Sequence, residues 1–261
     1  MSGRPLIIGH RGASALAPEN TLAAFACALR DGADGIEFDV RLSRDGVPVV
    51  IHDATLARTA MIDAAVSALS CAELCAVEVG SWFNRKFARF ARPEYEREAL
   101  PSLAQVFDMF STNSAVMYLE MKCDDLSGGP LAHQVVELIE RYSLIGRTIV
   151  ASFQLEAIAE VKRLDPTIRT AALFEPSIKQ PLSLLKRTRM VDLAREYGAD
   201  EIALHHSLAT QRIVERAACM NLPCVVWTVD NPIWLKRATE IGIKALITNN
   251  PRVMLGGIVG D

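Results

Sequence analysis

The chain has 261 residues, half of them hydrophobic, with a formal charge of −3 and a pI near 6.0. That size and apolar content suit one large α/β core, and the lack of a basic excess argues against a nucleic-acid partner. No apolar run approaches the roughly 18 residues of a membrane span. The opening Met-Ser-Gly-Arg-Pro leads straight into an apolar segment, leaving no room for a signal peptide. Six cysteines, at 27, 71, 75, 123, 219 and 224, form no CxxC pair. They read as reduced thiols, so the expected location is the cytosol.

Leu6-Ile7-Ile8-Gly9 reads as a strand running into His10-Arg11. A Gly/Ala/Pro loop and Glu19-Asn20-Thr21 follow. Leu22, Phe25, Ala26 and Leu29 then recur at helical spacing until Asp31-Gly32. Gly35-Ile36 opens a second strand that ends in Glu37-Phe38-Asp39, and strand alternation puts the two carboxylates on one face. Only residues 41–46 separate it from the next apolar run, 48–51, too few for a parallel crossover. Asp45-Gly46 therefore predicts a hairpin with a two-residue loop. Arg44 would pair with Val47, and His52 would fall opposite Asp39, setting a histidine beside two carboxylates.

Residues 54–99 break this rhythm and read as an insertion capping one end of a single domain spanning 1–261. Pro101-Ser102 then opens a helix with Leu103, Val106, Phe107 and Phe110 on one face. Strands are expected at 115–122, 148–153, 169–174, 201–205, 224–229 and 245–248, with helices at 131–142, 155–164 and 184–197 among the segments between them. With the return arm of the hairpin set aside, eight strands alternate with helices, which is the pattern of a (β/α)₈ TIM barrel. The alternative, an open doubly wound sheet, has neither a GxGxxG fingerprint nor a P-loop in its favour. In a barrel, chemistry sits at the C-terminal strand ends. His10, Glu37, Asp39, Glu120 and Lys122 all fall there, and Glu120 and Lys122 share parity.

These motifs occur in one order with Pro18-Glu19-Asn20-Thr21, His52-Asp53, Gly80-Ser81-Trp82-Phe83, Leu100-Pro101-Ser102-Leu103, Leu119-Glu120-Met121-Lys122 and Val226-Trp227-Thr228-Val229. The ordered set, covering nearly the whole chain, resembles the glycerophosphodiester phosphodiesterase family. The resemblance implies a (β/α)₈ barrel with a small insertion. It also implies hydrolysis of glycerophosphodiesters to glycerol 3-phosphate and an alcohol, usually with Mg²⁺ or Ca²⁺. It puts the metal on Glu37, Asp39 and Glu120 and the acid/base pair on His10 and His52. Three carboxylates suit a hard divalent cation, and imidazoles change protonation near neutrality. Arg11 and Lys122 would receive phosphoryl oxygens. Glu19 would orient or offset Arg11, or else only cap a helix, and Asp53 would orient His52 or brace its turn. Trp227 is either barrel core or a wall of the glycerol pocket; the resemblance favours the wall. A neighbouring glycerol hydroxyl has the proximity advantage over water as nucleophile, which favours a cyclic-phosphate route.

Other residues take plainer readings. His205-His206 reads as structural, Gly128-Gly129 as loop, and Trp82 and Phe83 as anchors of the insertion. The chain departs from the family pattern twice: Asn249 stands where the last strand commonly has Asp, and Asp230 where Asn commonly follows Val229. Neither departure is expected to touch the metal or acid/base set. Two rival functions are a lysophospholipase D acting on lipid, and a catalytically silent binding barrel. The complete set of histidines and carboxylates speaks against the second.

Overall fold

The computed structural model describes residues 4–123, 128–176 and 184–256. β1 (Leu6–His10) is followed by α1 (Leu22–Arg30), β2 (Gly35–Leu42) and β3 (Pro48–Val50). Beyond the irregular 54–99 segment come α4 (Leu103–Phe110), β4 (Val116–Met121), α5 (Gly129–Arg141), β5 (Thr148–Ser152), α6 (Leu155–Leu164) and β6 (Arg169–Phe174). The chain continues through α7 (Leu184–Glu196), β7 (Glu201–His205), α8 (Gln211–Cys219), β8 (Cys224–Trp227), α9 (Ile233–Ile241), β9 (Ala245–Thr248) and α10 (Pro251–Met254). Parallel pairing runs β1-β9-β8-β7-β6-β5-β4-β2, and β1 also pairs with β2, so eight parallel strands close into a barrel. Among the described residues, no helix is long and apolar enough to cross a membrane.

Alternation divides the strand side chains between two cores. Ile8, Tyr118, Ile149, Ala171, Ala203, Val225 and Ala245 fill the barrel interior, where alanines on β6, β7 and β9 leave room for the Tyr118 ring. The other face packs under the helices: Ile36, Phe38 and Val40 of β2 meet Phe25 of α1 and Phe107 and Phe110 of α4. The rings of Phe25 and Phe38 lie 5.7 Å apart, and truncating either would cost about 3–5 kcal/mol. Side-chain caps set where the helices begin. Thr21 Oγ1 accepts from the Ala24 amide at 3.2 Å, and Ser102 with Gln105 forms a capping box on α4.

The hairpin register differs from the one the turn predicts. Val40 pairs with Val50 and Leu42 with Pro48, and the Ile51 amide donates to the Asp39 backbone carbonyl, so Ile51 rather than His52 lies opposite Asp39. The loop has three residues, Arg44-Asp45-Gly46, closed by the Ser43 amide donating to the Val47 carbonyl. Gly46, at φ +75°, takes up the extra residue in the left-handed conformation, a common three-residue solution. Gly129, expected in a loop, opens α5 instead. Gly128 before it has φ +64°, and a Cβ there would come within 2.5 Å of Ala157 Cβ, so glycine is required by both conformation and packing.

The 54–99 segment contains two short helices, α2 (Cys71–Leu74) and α3 (Ser81–Lys86), with 3₁₀ turns. Leu56, Val66, Leu74 and Val79 pack with Val49 and Ile51 beside the hairpin. Phe83 is fully buried against Tyr95, whose hydroxyl donates to the Leu16 carbonyl. Trp82 is half-buried, with Arg58 and Lys86 over its ring at 5.6 and 5.8 Å.

Candidate active site

A cavity of about 320 Å³ opens at the C-terminal end of the barrel. His10, Arg11, Glu37, His52, Glu120 and Lys122 line one part of it, and Phe153, Leu173, Ala203, Trp227 and Ile247 another, with Glu175 on the wall.

The turn after β1 positions the first group. Arg11 has φ +54° and Gly12 φ +82°, and a Cβ on Gly12 would lie 2.6 Å from the Ala24 backbone of α1. Only glycine lets the turn lie this close to α1. The turn points the Arg11 amide at Glu37 Oε2, 3.0 Å away, and brings Arg11 Nε to 3.2 Å from Asp39 Oδ2. Arg11 also donates to Glu19 Oε1 at 2.8 Å.

The three members of Glu19-Asn20-Thr21 do different work. Thr21 caps α1. Asn20, itself at φ +57°, donates to Asp39 Oδ2 at 2.8 Å and accepts from the Asp39 amide at 3.2 Å, so it fixes that carboxylate. Glu19 is shared between Arg11 and Arg58.

Glu37, Asp39 and Glu120 are all buried, and one oxygen from each lies within 4.8 Å of the others. Two cations face them: Arg11, and Lys122, whose ammonium is 3.2 Å from Asp39 Oδ1 and also pairs with Glu120. The local charge is unbalanced. Burial, reinforced by the neighbouring Asp39 and Glu120 charges, pushes the Glu37 carboxyl well above the usual range. Burial and the Asp39 charge push Glu120 up to about 7. Burial also works against ionised Asp39, but the Arg11 and Lys122 cations outweigh it and hold that group well below the usual range. An all-oxygen donor set with surplus negative charge fits a hard divalent cation, which would relieve the repulsion.

His10 Nε2 lies 3.9 Å from Glu37 Oε2, and its Nδ1 is 2.7 Å from Asn249 Oδ1. Burial, with the nearby Arg11 charge, lowers its pKa to about 4. His52 Nδ1 is 2.7 Å from Asp53 Oδ1, and Arg58 bridges Asp53 to Glu19. Burial lowers the His52 pKa against the opposing pull of Asp39 and Asp53. Although His52 does not pair across from Asp39, it follows β3 into the same cavity.

Trp227 lines the cavity and meets Phe153 edge-on at 5.5 Å. His205 and His206 stack 4.1 Å apart outside the cavity lining. They bond to Ser207 Oγ and the Thr228 carbonyl, respectively.

Sequence reasoning overlooked several groups. Arg58 gave no signal, because it lies in the irregular segment. In the sequence Asn249 and Asp230 stand out only as departures, with no expected contact to the acid/base set. The structure corrects that expectation: Asn249 bonds His10 directly, and Asp230 bonds Asn249. The two departures touch each other, a signal visible only once β8 and β9 are known to be neighbours.

The Glycerophosphoryl diester phosphodiesterase family profile matches residues 10–253. A glycerophosphodiester phosphodiesterase of Bacillus altitudinis is 34% identical over 246 residues, 94% of each chain. Another, from Caldanaerobacter subterraneus subsp. tengcongensis, is 29% identical over 252 residues, 97% of each chain. Among solved structures, an Oleispira antarctica phosphodiesterase in complex with the product sn-glycerol-3-phosphate superposes with a TM-score of 0.82 at 25% identity. The match covers 97% of this chain and 96% of that one.

Proposed function

The chain belongs to the glycerophosphoryl diester phosphodiesterase family and is an enzyme of that kind; from this premise we propose how its own residues hydrolyse a glycerophosphodiester to glycerol 3-phosphate and an alcohol. The observation that carries the reading is one cavity lined by two histidines and two cations beside three buried carboxylates. The solved relative that holds sn-glycerol-3-phosphate supports placing the glycerophosphate half of the substrate here.

Arg11 and Lys122 receive the phosphoryl oxygens. Both are already ion-paired with Asp39, so they enter the reaction preorganised and need little rearrangement as charge builds on the phosphoryl group. Glu37, Asp39 and Glu120 would hold a divalent cation, Mg²⁺ or Ca²⁺ by their hard oxygen donors, which would supply polarisation of the phosphoryl group and favour an ionised oxygen nucleophile. Of His10 and His52, one takes a proton from the attacking oxygen and the other gives one to the departing alcohol. Asp53 holds His52 by its Nδ1 and is itself fixed by Arg58, while Glu19 steadies Arg11 and Arg58 together. Trp227 presents an apolar wall to the carbon skeleton of the glycerol. The attacking oxygen is the glycerol 2-hydroxyl, already tethered next to the phosphorus, and a cyclic phosphate is then opened by water. A substrate lacking that hydroxyl should turn over far more slowly; undiminished turnover with ¹⁸O entering from water would rule out the cyclic route.

The direct test measures glycerol 3-phosphate release from glycerophosphocholine and glycerophosphoethanolamine. It is run with EDTA, then with added Mg²⁺, Ca²⁺ or Mn²⁺, beside His10→Ala. Activity restored by metal and abolished by the substitution is the expected result. Silence of the folded protein with every metal would overturn the substrate assignment, and survival of activity in His10→Ala would overturn the role of that histidine.

A further inference from the structure

Asp230 follows β8 and Asn249 follows β9, two neighbouring strands at the mouth of the barrel. Asp230 Oδ1 accepts from Thr248 Oγ1 at 2.9 Å and from the Asn249 amide at 2.8 Å, so the carboxylate is pinned by the end of β9. Its other oxygen, Oδ2, lies 2.7 Å from the side-chain amide of Asn249. A carboxylate only accepts, so the amide must turn its NH₂ toward Asp230. Its carbonyl oxygen then faces the other way, 2.7 Å from His10 Nδ1 and 2.9 Å from Ser14 Oγ. An acceptor at that position requires a proton on Nδ1. The neutral form of His10 protonated on Nε2 would set lone pair against lone pair.

We infer that Asp230, acting through the amide of Asn249, selects the tautomer of His10 and leaves Nε2 as the nitrogen that exchanges the reaction's proton. Nε2 is the nitrogen on the Glu37 side of the ring. Asp230 and Asn249 are positioning residues: neither is among the residues lining the cavity. Orientation passes along a line of single hydrogen bonds in which each partner dictates the next one's polarity. The kinetic consequence rests on the proton-transfer role proposed for His10; the tautomer itself does not.

Reversing the polarity of this line is the test. In Asp230→Asn the new amide oxygen still accepts from Thr248 and the Asn249 backbone, which leaves its NH₂ facing the NH₂ of Asn249. Asn249 relieves that clash by rotating, brings its NH₂ to His10 and forces Nδ1 to accept. Combining Asp230→Asn with Asn249→Asp restores a donor at 230 and an acceptor on His10. Nitrogen-15 NMR of the histidine rings, with His10 assigned by comparison with His10→Gln, should report Nδ1–H in the parent. It should report Nε2–H in Asp230→Asn and Nδ1–H again in the double variant. In parallel, kcat should fall about tenfold or more in Asp230→Asn with KM nearly constant, and the double variant should recover most of the loss. Asn249→Leu leaves the bonds of Asp230 to Thr248 and the backbone in place, and should lose kcat while His10 shows both tautomers. That variant keeps the inference testable if Asp230→Asn fails to fold. Unchanged tautomer in Asp230→Asn and Asn249→Leu would overturn the inference, as would a double variant that recovers none of the kcat lost in Asp230→Asn. If the parent shows no activity on glycerophosphodiesters, the substrate reading fails while the nitrogen signals still decide this one.

Discussion

At the N-terminal end of the barrel, Glu201 at the start of β7 is 2% exposed. The Tyr118 hydroxyl donates to it at 2.8 Å, the Lys244 ammonium pairs with it, and Arg169 stands 4.0 Å away. At the C-terminal end, Glu37, Asp39 and Glu120 have two close cations among the described residues, and two of the three carboxyls are driven upward by burial and mutual repulsion. Both clusters are buried and lie within one barrel, but they are built to opposite ends. The lower one satisfies a single buried charge from several sides. The upper one keeps a surplus of negative oxygen beside an open cavity, which costs stability and which a bound cation would relieve. A buried ion pair by itself is a poor guide to function; an incompletely compensated one facing a cavity is a better one.

This contrast can be broken from either end. The largest effect is expected at the top: His10→Ala and His52→Ala should each lower kcat by roughly 10²–10⁴-fold in glycerol 3-phosphate release, with the folded state intact by circular dichroism. Next, chelation with EDTA should take the parent to background turnover and added Mg²⁺ or Ca²⁺ should restore it. Glu120→Gln should need markedly more metal for half-maximal rate, read from a metal titration. At the bottom the same kind of change should act on stability alone. Glu201→Gln leaves Lys244 without its buried partner and should cost on the order of 3 kcal/mol, a fall in Tm of roughly 6–12 °C, with kcat of the folded enzyme within about twofold of the parent.

A smaller effect follows from the raised carboxyls. A group whose pKa is raised on folding stabilises the protein fully below its unfolded value and loses that contribution as pH rises through its folded value. For Glu120 the window runs from its ordinary 4.5 to about 7, and Glu37 shifts in the same direction. The metal-free protein should therefore lose Tm across that interval. The Tm gain on adding Mg²⁺ or Ca²⁺ should be larger at pH 8 than at pH 5.5, as differential scanning fluorimetry can measure. An equal gain at both pH values would remove the surplus-charge account of the upper cluster. The smallest effect is expected at the apolar wall: Trp227→Leu should raise KM by a few-fold, about 1 kcal/mol of lost contact, with kcat less affected.

What could be read without the structure was whatever the backbone period encodes locally. The eight strands stand out as apolar runs, and those ending near His10, Asp39 and Glu120 carry the ionisable groups. Alternation alone puts Glu37 with Asp39, and Glu120 with Lys122, on shared faces, because strand side chains repeat every two residues. The barrel then gathers those faces at one mouth, as the strand count implies. The hairpin register was beyond local reasoning: Arg44-Asp45-Gly46 serves a two-residue or a three-residue loop equally well, and only the pairing of Val40 with Val50 chose between them. Arg58 carries no periodic signal, and its link to Glu19 and Asp53 exists only because the folded 54–99 segment brings its guanidinium to them. The contact of Asn249 with His10 spans 239 residues and depends on β9 closing against β1. Closure is a long-range event with no local pattern, so tertiary structure alone decided which side chain holds the imidazole and from which side.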